Sequence, residues 1–399
     1  MHDALALTPI PGAGLGIVST APIPPSTRVA FVPHSAMLNL STLARFSPAA
    51  QAATALTAHA RLSLALLDAC AAPAHPWRDW LATLPRSFAS LPLHWPPAPR
   101  ALLPPSARRL LAAMQARFAA DWAAALSAQP ALDEARFRWA WSAVNTRSLH
   151  YPAARPDDRM TLCPYIDYFN HTAPSSGGGG GAAAACTVEL TRRGYTVTTP
   201  SSRPGPISIS TGEQLLVSYG SHCGDFLLVE YGFVPQDYPR SSSHPVTDGT
   251  DVDVDGVEAD ADGDSGDYVR LDAWMLPRLS AGGEGTEEVL CRRGYWGDYA
   301  VDARVGCCFR SETAARVACG AAGRPGDGRR WLDGVLEEVE REAAQALALL
   351  SGDLEQKEAD GENRDANARQ MVAARWAQIA RIVRAARALG AAAGADDFS

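Results

Sequence analysis

The chain has 399 residues, of which 47% are hydrophobic and 20% charged, enough for two or three domains with cores of their own. Its formal charge of −8 is local: residues 248–267 carry nine Asp or Glu and no Lys or Arg, and outside them 36 basic residues face 35 acidic ones. A body so close to neutral lacks the basic field that a phosphate backbone needs, which excludes nucleic acid as a primary partner.

Eight cysteines, at 70, 163, 186, 223, 291, 307, 308 and 319, show no C-x-x-C pairing, so neither a zinc site nor a disulfide framework is expected and the thiols read as reduced. No stretch of about 18 apolar residues occurs and the first ten residues do not form a secretory signal. The expectation is a soluble protein of the cytoplasm or nucleus with no membrane partner.

From Gly14 the chain reads as short strands, first Ile17-Val18, then 28–33 behind a Pro-rich turn. Between 48 and 148 the period changes. Leu111, Met114, Phe118, Trp122 and Leu126 recur at three and four, as do Phe137, Trp141 and Val144, so helices are predicted, interrupted by prolines at 92–105. Strands return over 186–190 and 195–199, joined by Arg192-Arg193-Gly194 as a hairpin turn, after a low-complexity Ala/Gly loop at 177–185. The acidic run 248–267 cannot bury a core and reads as a disordered insertion. Order resumes at Tyr268, and helices are predicted over 331–350 and, past a polar break at 351–367, over a stretch with Met371, Val372, Trp376, Ile379 and Val383 on one side. Arg375, Arg381, Arg384 and Arg387 read as the wet face of that helix.

Three segments carry chemistry. Asp167-Tyr168-Phe169-Asn170-His171 offers amide and imidazole groups to a polar ligand. The run from Gly212 through Ser218-Tyr219-Gly220, with Glu230-Tyr231-Gly232-Phe233 after it, offers aromatic walls for a tube. A sulfonium cofactor and a lysine arm need both kinds of surface. Together with 14–18 (Gly-Leu-Gly-Ile-Val) and Asn145-Thr146-Arg147-Ser148, these segments resemble, in order and spacing over about residues 10–235, the SET-domain protein methyltransferases. The resemblance is to the branch that includes Rubisco large-subunit and ribosomal-protein lysine methyltransferases. The C-terminal third is similar to that family's helical tail only loosely.

The resemblance implies an α+β fold: a β-rich SET domain in two parts, 1–47 and 149–240, a helical insertion at 48–148, the acidic insertion at 241–267, and a mainly helical, substrate-binding-like domain at 268–399. It implies S-adenosylmethionine as cofactor and, as partner, a monomeric enzyme's lysine-containing protein substrate, with a ribosomal or translation protein best supported. Tyr219 would be the catalytic tyrosine. Asn170 and His171 would hold the cofactor, Arg147 would face its carboxylate or ribose, Asp167 would support the site, and the backbone at Gly14, Leu15 and Gly16 would pass close by. Tyr231 and Phe233 would wall the lysine channel. Leu149, two residues after the arginine, is an apolar wall that suits an alkyl arm better than an imidazole.

Competing readings are weaker. The 12–16 glycines have the wrong spacing for a dinucleotide turn and precede prolines instead of a helix. Ser221-His222-Cys223 with Asp225 is too contiguous for a nucleophilic triad. Asp251-Val252-Asp253-Val254-Asp255-Gly256 opens like a calcium loop but lacks the glutamate at position twelve. Two functional alternatives stay open: a non-catalytic SET scaffold, and a histone-directed enzyme, against which the absent zinc-binding cysteines weigh.

Overall fold

The computed structural model describes residues 2–151, 159–172, 185–191, 193–201, 208–235, 267–281, 285–320, 324, 326–359 and 365–396, with only the backbone of 353–359 and 391–396. The low-complexity loop up to 184 and the acidic run up to 266 lie outside the described residues. The chain divides into two compact units. The first holds Met1–Ala89 and Ala112–Gly220; the second holds Ser90–Leu111 and the described residues from Ser221 onward.

Among the described residues, nine strands belong to the first unit: β1 (Leu5–Ile10), β2 (Gly14–Ser19), β3 (Arg28–Pro33), β4 (Ser148–His150), β5 (Met160–Leu162), β6 (Asn170–His171), β7 (Thr187–Thr191), β8 (Gly194–Thr198) and β9 (Gln214–Val217). They form small sheets ordered β1-β2-β9-β6, β3-β8-β7 and β4-β5. The β7–β8 hairpin closes where the sequence placed it, with Thr191 opposite Gly194. The sequence reading missed β1, whose pairing with β2 runs from Leu5↔Ser19 to Ile10↔Gly14. Pro9 and Pro11 mask its pattern, although Gly12 and Gly14, both at positive φ, make the turn between the two strands.

Three long helices complete this unit: α1 (Ala58–Ala71), α2 (Pro105–Ala128), whose residues from 112 belong here, and α3 (Glu134–Arg147). Thr57 and Asp133 cap α1 and α3 by accepting from Ala60 and Arg136, each typically worth about 1 kcal/mol. Phe137, Trp141 and Val144 are fully buried as predicted. On α2 the buried row departs from prediction after Phe118: Leu126 is 37% exposed, whereas Asp121 and Ala125 are buried. The helical pitch turns the row one residue toward the N-terminus of the expected positions. Asp121 is admitted because it accepts from Trp141 Nε1 at 2.8 Å and from the Thr57 hydroxyl at 2.6 Å.

In the second unit, β10 (Tyr268–Arg270), β11 (Ala300–Asp302) and β12 (Gly306–Cys307) form a three-stranded sheet. Around it lie α4 (Asp272–Ala281), α5 (Thr286–Arg292), α6 (Phe309–Ala318), α7 (Asp327–Ala359) and α8 (Ala366–Asp396). The predicted break after Leu350 comes later, since α7 runs on to Ala359. Val372, Trp376, Ile379 and Val383 of α8 are buried, and Arg384 and Arg387 lie toward its outer side, pairing with Glu340 of α7. Arg375 overturns its reading as a wet residue: its side chain has no exposed surface and is paired with Asp225 and Asp267. Asp267, the last acid of the run read as disordered, is likewise buried.

Among the described residues, no helix is long and apolar enough to cross a membrane. No group of three or more His, Cys, Asp or Glu there could hold a metal ion. All eight cysteines are free thiols.

Candidate active site

In the first unit, β9 runs between β2 and β6. Leu215 pairs with Ile17 on one side, and Leu216 pairs in parallel with Asn170 on the other. This brings three stretches distant in sequence to one place. Asn170 Nδ2 donates to the Leu15 carbonyl at 3.2 Å, reaching past β9 to β2. Gly16 makes that possible: a Cβ there would sit 2.5 Å from Gln214 Nε2, 2.7 Å from Ile10 Cγ1 and 2.9 Å from Asn170 Nδ2. The glycine is needed for the close approach of two amide side chains, whereas Gly14 has open space around it and is needed for its positive φ.

Tyr219 follows β9 directly and is held at two points. Its hydroxyl donates to the Phe169 carbonyl at 3.0 Å, and its backbone N–H donates to His171 Nδ1 at 3.1 Å. The two rings lie 5.1 Å apart. Because Nδ1 accepts, the neutral His171 that fits this geometry carries its proton on Nε2. The phenol has only one proton, and it is given to Phe169, so any further hydrogen bond at that oxygen is one it accepts.

One turn earlier, Asp167 is the centre of a buried polar cluster. It accepts from Trp80 Nε1 at 3.0 and 3.1 Å and pairs with Arg147 Nη1 at 2.7 Å. Its side chain is 2% exposed and that of Arg147 19%. Burial pushes the Asp167 carboxyl above its usual range, and the adjacent guanidinium opposes this. Arg147 ends α3, and the next residues, Ser148 and Leu149, form β4 opposite Leu162 and Thr161. Leu149 is half-buried there.

Tyr231 and Phe233 fall in the second unit. Tyr231 ends a π-helical turn, Leu227–Tyr231, which Gly232 closes in the left-handed conformation. A Cβ on Gly232 would meet Ser90 Oγ at 2.8 Å, so both the φ and the fit call for glycine. The Tyr231 and Phe233 rings are 6.3 Å apart. Burial, with Glu230 adding, pushes the Tyr231 phenol up to about 12, so it stays protonated at neutral pH.

Two residues of the first unit's cluster were not read from the sequence. Trp80 lies 87 positions before Asp167, and nothing local marks it. Gln214 was visible within the Gly212–Gly220 run as a polar residue opening an otherwise apolar strand. Its Nε2, Arg147 Nε and Ser148 Oγ are buried and make no hydrogen bond within the described residues.

Comparison with known proteins identifies the fold. No family profile matches the chain. It is 25% identical over 326 residues to the ribosomal lysine N-methyltransferase set11 of Schizosaccharomyces pombe, covering 79% of this chain and 71% of that protein. It is 27% identical over 261 residues to human SET domain-containing protein 4, covering 59% of the chain and 56% of that protein. Among solved structures, the SET domain of LSMT bound to lysine and AdoHcy matches 97% of this chain and 86% of its own, with a TM-score of 0.56 at 14% identity. Rubisco LSMT bound to AdoMet matches with a TM-score of 0.53 at 13% identity, over 97% and 87%. The fold is that of the SET domain. Within that class the chain is similar in sequence to a ribosomal lysine methyltransferase and in fold to Rubisco LSMT.

Proposed function

We propose that this chain is an S-adenosylmethionine-dependent protein-lysine N-methyltransferase whose substrate is a non-histone protein, a ribosomal one by the nature of its set11 relative. The observation that carries the reading is Tyr219, fixed by Phe169 and His171 immediately beside the Asn170–Leu15 crossing. Three buried polar atoms, Arg147 Nε, Ser148 Oγ and Gln214 Nε2, have no hydrogen-bond partner among the described residues. An unsatisfied buried polar group costs about 1–3 kcal/mol, and donors of this kind suit the carboxylate and ribose oxygens of such a cofactor.

When bound, S-adenosylmethionine supplies an electrophilic methyl carbon, to which the lysine nitrogen bonds as the carbon–sulfur bond breaks. The remaining task for the protein is alignment and exclusion of water. Tyr219 directs acceptor lone pairs where polarised C–H groups and the amine can meet them. Its Phe169 bond stops the phenol from rotating. The lysine must arrive as a free amine, and from a pKa near 10.4 this costs about 4.6 kcal/mol at pH 7. Apolar and aromatic surroundings lower that cost by disfavouring the ammonium. We assign Leu149, Tyr231 and Phe233 to meet the lysine arm, and Arg147, Asn170 and the 14–16 backbone to the cofactor.

The test is transfer of labelled methyl from S-adenosylmethionine to salt-washed ribosomal protein. Wild type should label lysine in a discrete band. Tyr219→Phe should lower the rate by about tenfold or more with cofactor affinity kept, since its lost hydroxyl acts on alignment. Asn170→Ala should weaken cofactor binding by about tenfold, the worth of roughly one hydrogen bond. Cofactor binding without methylation of any protein in several extracts would instead favour a SET scaffold.

A further inference from the structure

Arg375 lies within α8, near the C-terminal end of the chain, with no exposed side-chain surface. Its Nε donates to Asp225 Oδ1 at 2.8 Å, its Nη1 to Asp267 Oδ2, and its Nη2 to the Tyr268 carbonyl at 3.4 Å. Asp267 in turn accepts from the backbone N–H of Gly224 at 2.8 Å. Gly224 has no room for a side chain, because the Arg375 guanidinium occupies the place its Cβ would take. One helical step on, Gln378 is also buried. Its Oε1 accepts from Arg375 Nη1 at 3.2 Å and its Nε2 donates to the Pro235 carbonyl.

The two side chains grip different ends of one segment. Arg375 holds its start, at Gly224 and Asp225, and Gln378 its end, at Pro235. Between them lie the π-helical turn, Tyr231, Gly232 and Phe233. A surface arginine would not need two carboxylates, a carbonyl and an amide, and a helix that only covered a core would present apolar residues here. A buried charge pair is worth little over a well-packed apolar replacement, so stability alone does not account for this arrangement. What it supplies is a fixed register between α8 and the 224–235 segment.

We propose that Arg375 and Gln378 are positioning residues that set Tyr231 and Phe233 for the substrate lysine. This rests on the methyltransferase reading above, in which Tyr231 and Phe233 meet the lysine arm.

Two measurements on the full chain separate the clamp from that reading. Hydrogen exchange first compares wild type with Gln378→Leu and Arg375→Lys. The amides of 224–233 should lose protection, most at Gly224 in Arg375→Lys and at Gly232 in Gln378→Leu, while those of 214–219 keep theirs. Unchanged protection at 224–233 in both variants overturns the proposal whatever the activity. Methyl transfer to salt-washed ribosomal protein follows. Gln378→Leu should lose about tenfold or more in kcat/KM for the protein acceptor, as small misplacements do, with KM for S-adenosylmethionine within about twofold of wild type. Arg375→Lys, which keeps the charge but not the fork, should fall between the two. Equal losses in both parameters would mark a general loss of structure and overturn the positioning role. If exchange changes as expected but wild type methylates nothing, the methyltransferase reading fails and the clamp stands.

Discussion

Asp167 and Gly16 show how little of this site is free to change. Removing the Asp167 carboxylate leaves Arg147 partly buried without its counter-charge and Trp80 Nε1 without an acceptor. Asp167→Ala should therefore cost about 3 kcal/mol, as the loss of one partner in a buried pair does, read from the urea midpoint at constant slope. A loss under about 0.5 kcal/mol would mean that water replaces the carboxylate freely. At Gly16 even one methyl group meets Gln214, Ile10 and Asn170. Gly16→Ala should cost about 1–3 kcal/mol through overpacking and should weaken cofactor binding, because Asn170 must give way. Titration by calorimetry would check this, and wild-type affinity in the variant would dissociate Gly16 from the cofactor. Neither cost was legible beforehand for the same reason: the partners of both residues come from far along the chain. The residue types were readable, and so were their order and spacing; the role of His171 as a bracket for the Tyr219 backbone was not, since it depends on the parallel pairing of β6 with β9.

Helix α1 meets α3 through His59, which stacks on Trp141 at 4.0 Å and bonds the Trp141 carbonyl through Nε2 at 2.9 Å. Burial lowers the His59 pKa from 6.5 to about 4, the bond to Trp141 opposing. The unfolded chain thus binds a proton that the folded one refuses, so stability rises with pH between about 4 and 6.5. Allowing for the ring's partial exposure, this helix pair should lose on the order of 1–3 kcal/mol on acidification through that window. His59→Gln should flatten the dependence there in urea titrations, and an unchanged slope would place the acid sensitivity elsewhere. Elements with simple periods, such as α3 and the β7–β8 hairpin, were readable because their neighbours in space are neighbours in sequence. The β10–β12 sheet and α4 to α6 were not, since strands of two or three residues and helices of seven to ten carry too few turns to declare a period. Arg375 was misjudged on the same helix whose apolar face was read correctly: a lone arginine gives no local sign that two carboxylates from elsewhere await it.

At the scale of the whole molecule, the two compact units interleave along the chain, the second taking Ser90–Leu111 out of the middle of the first. The sequence marks that region only by its prolines. The anchoring around Arg375 also changes what the acidic stretch means for the protein. The chain leaves from Pro235 and returns at Asp267, and both ends are bonded to side chains one helical step apart on α8. The two described residues that flank 236–266 are thus held at neighbouring points on one helix. For a connection between two fixed points, doubling the length adds only about 0.6 kcal/mol of closure entropy. Replacing 240–262 by about six Gly and Ser residues, which reach roughly 20 Å when extended, should leave the melting temperature within about 3 °C of wild type. A larger fall would show that the stretch contributes contacts of its own. If the fold tolerates the exchange, evolution can lengthen, shorten or recharge this stretch without renegotiating the rest, and the locally concentrated negative charge becomes a removable attachment instead of a property of the protein's body.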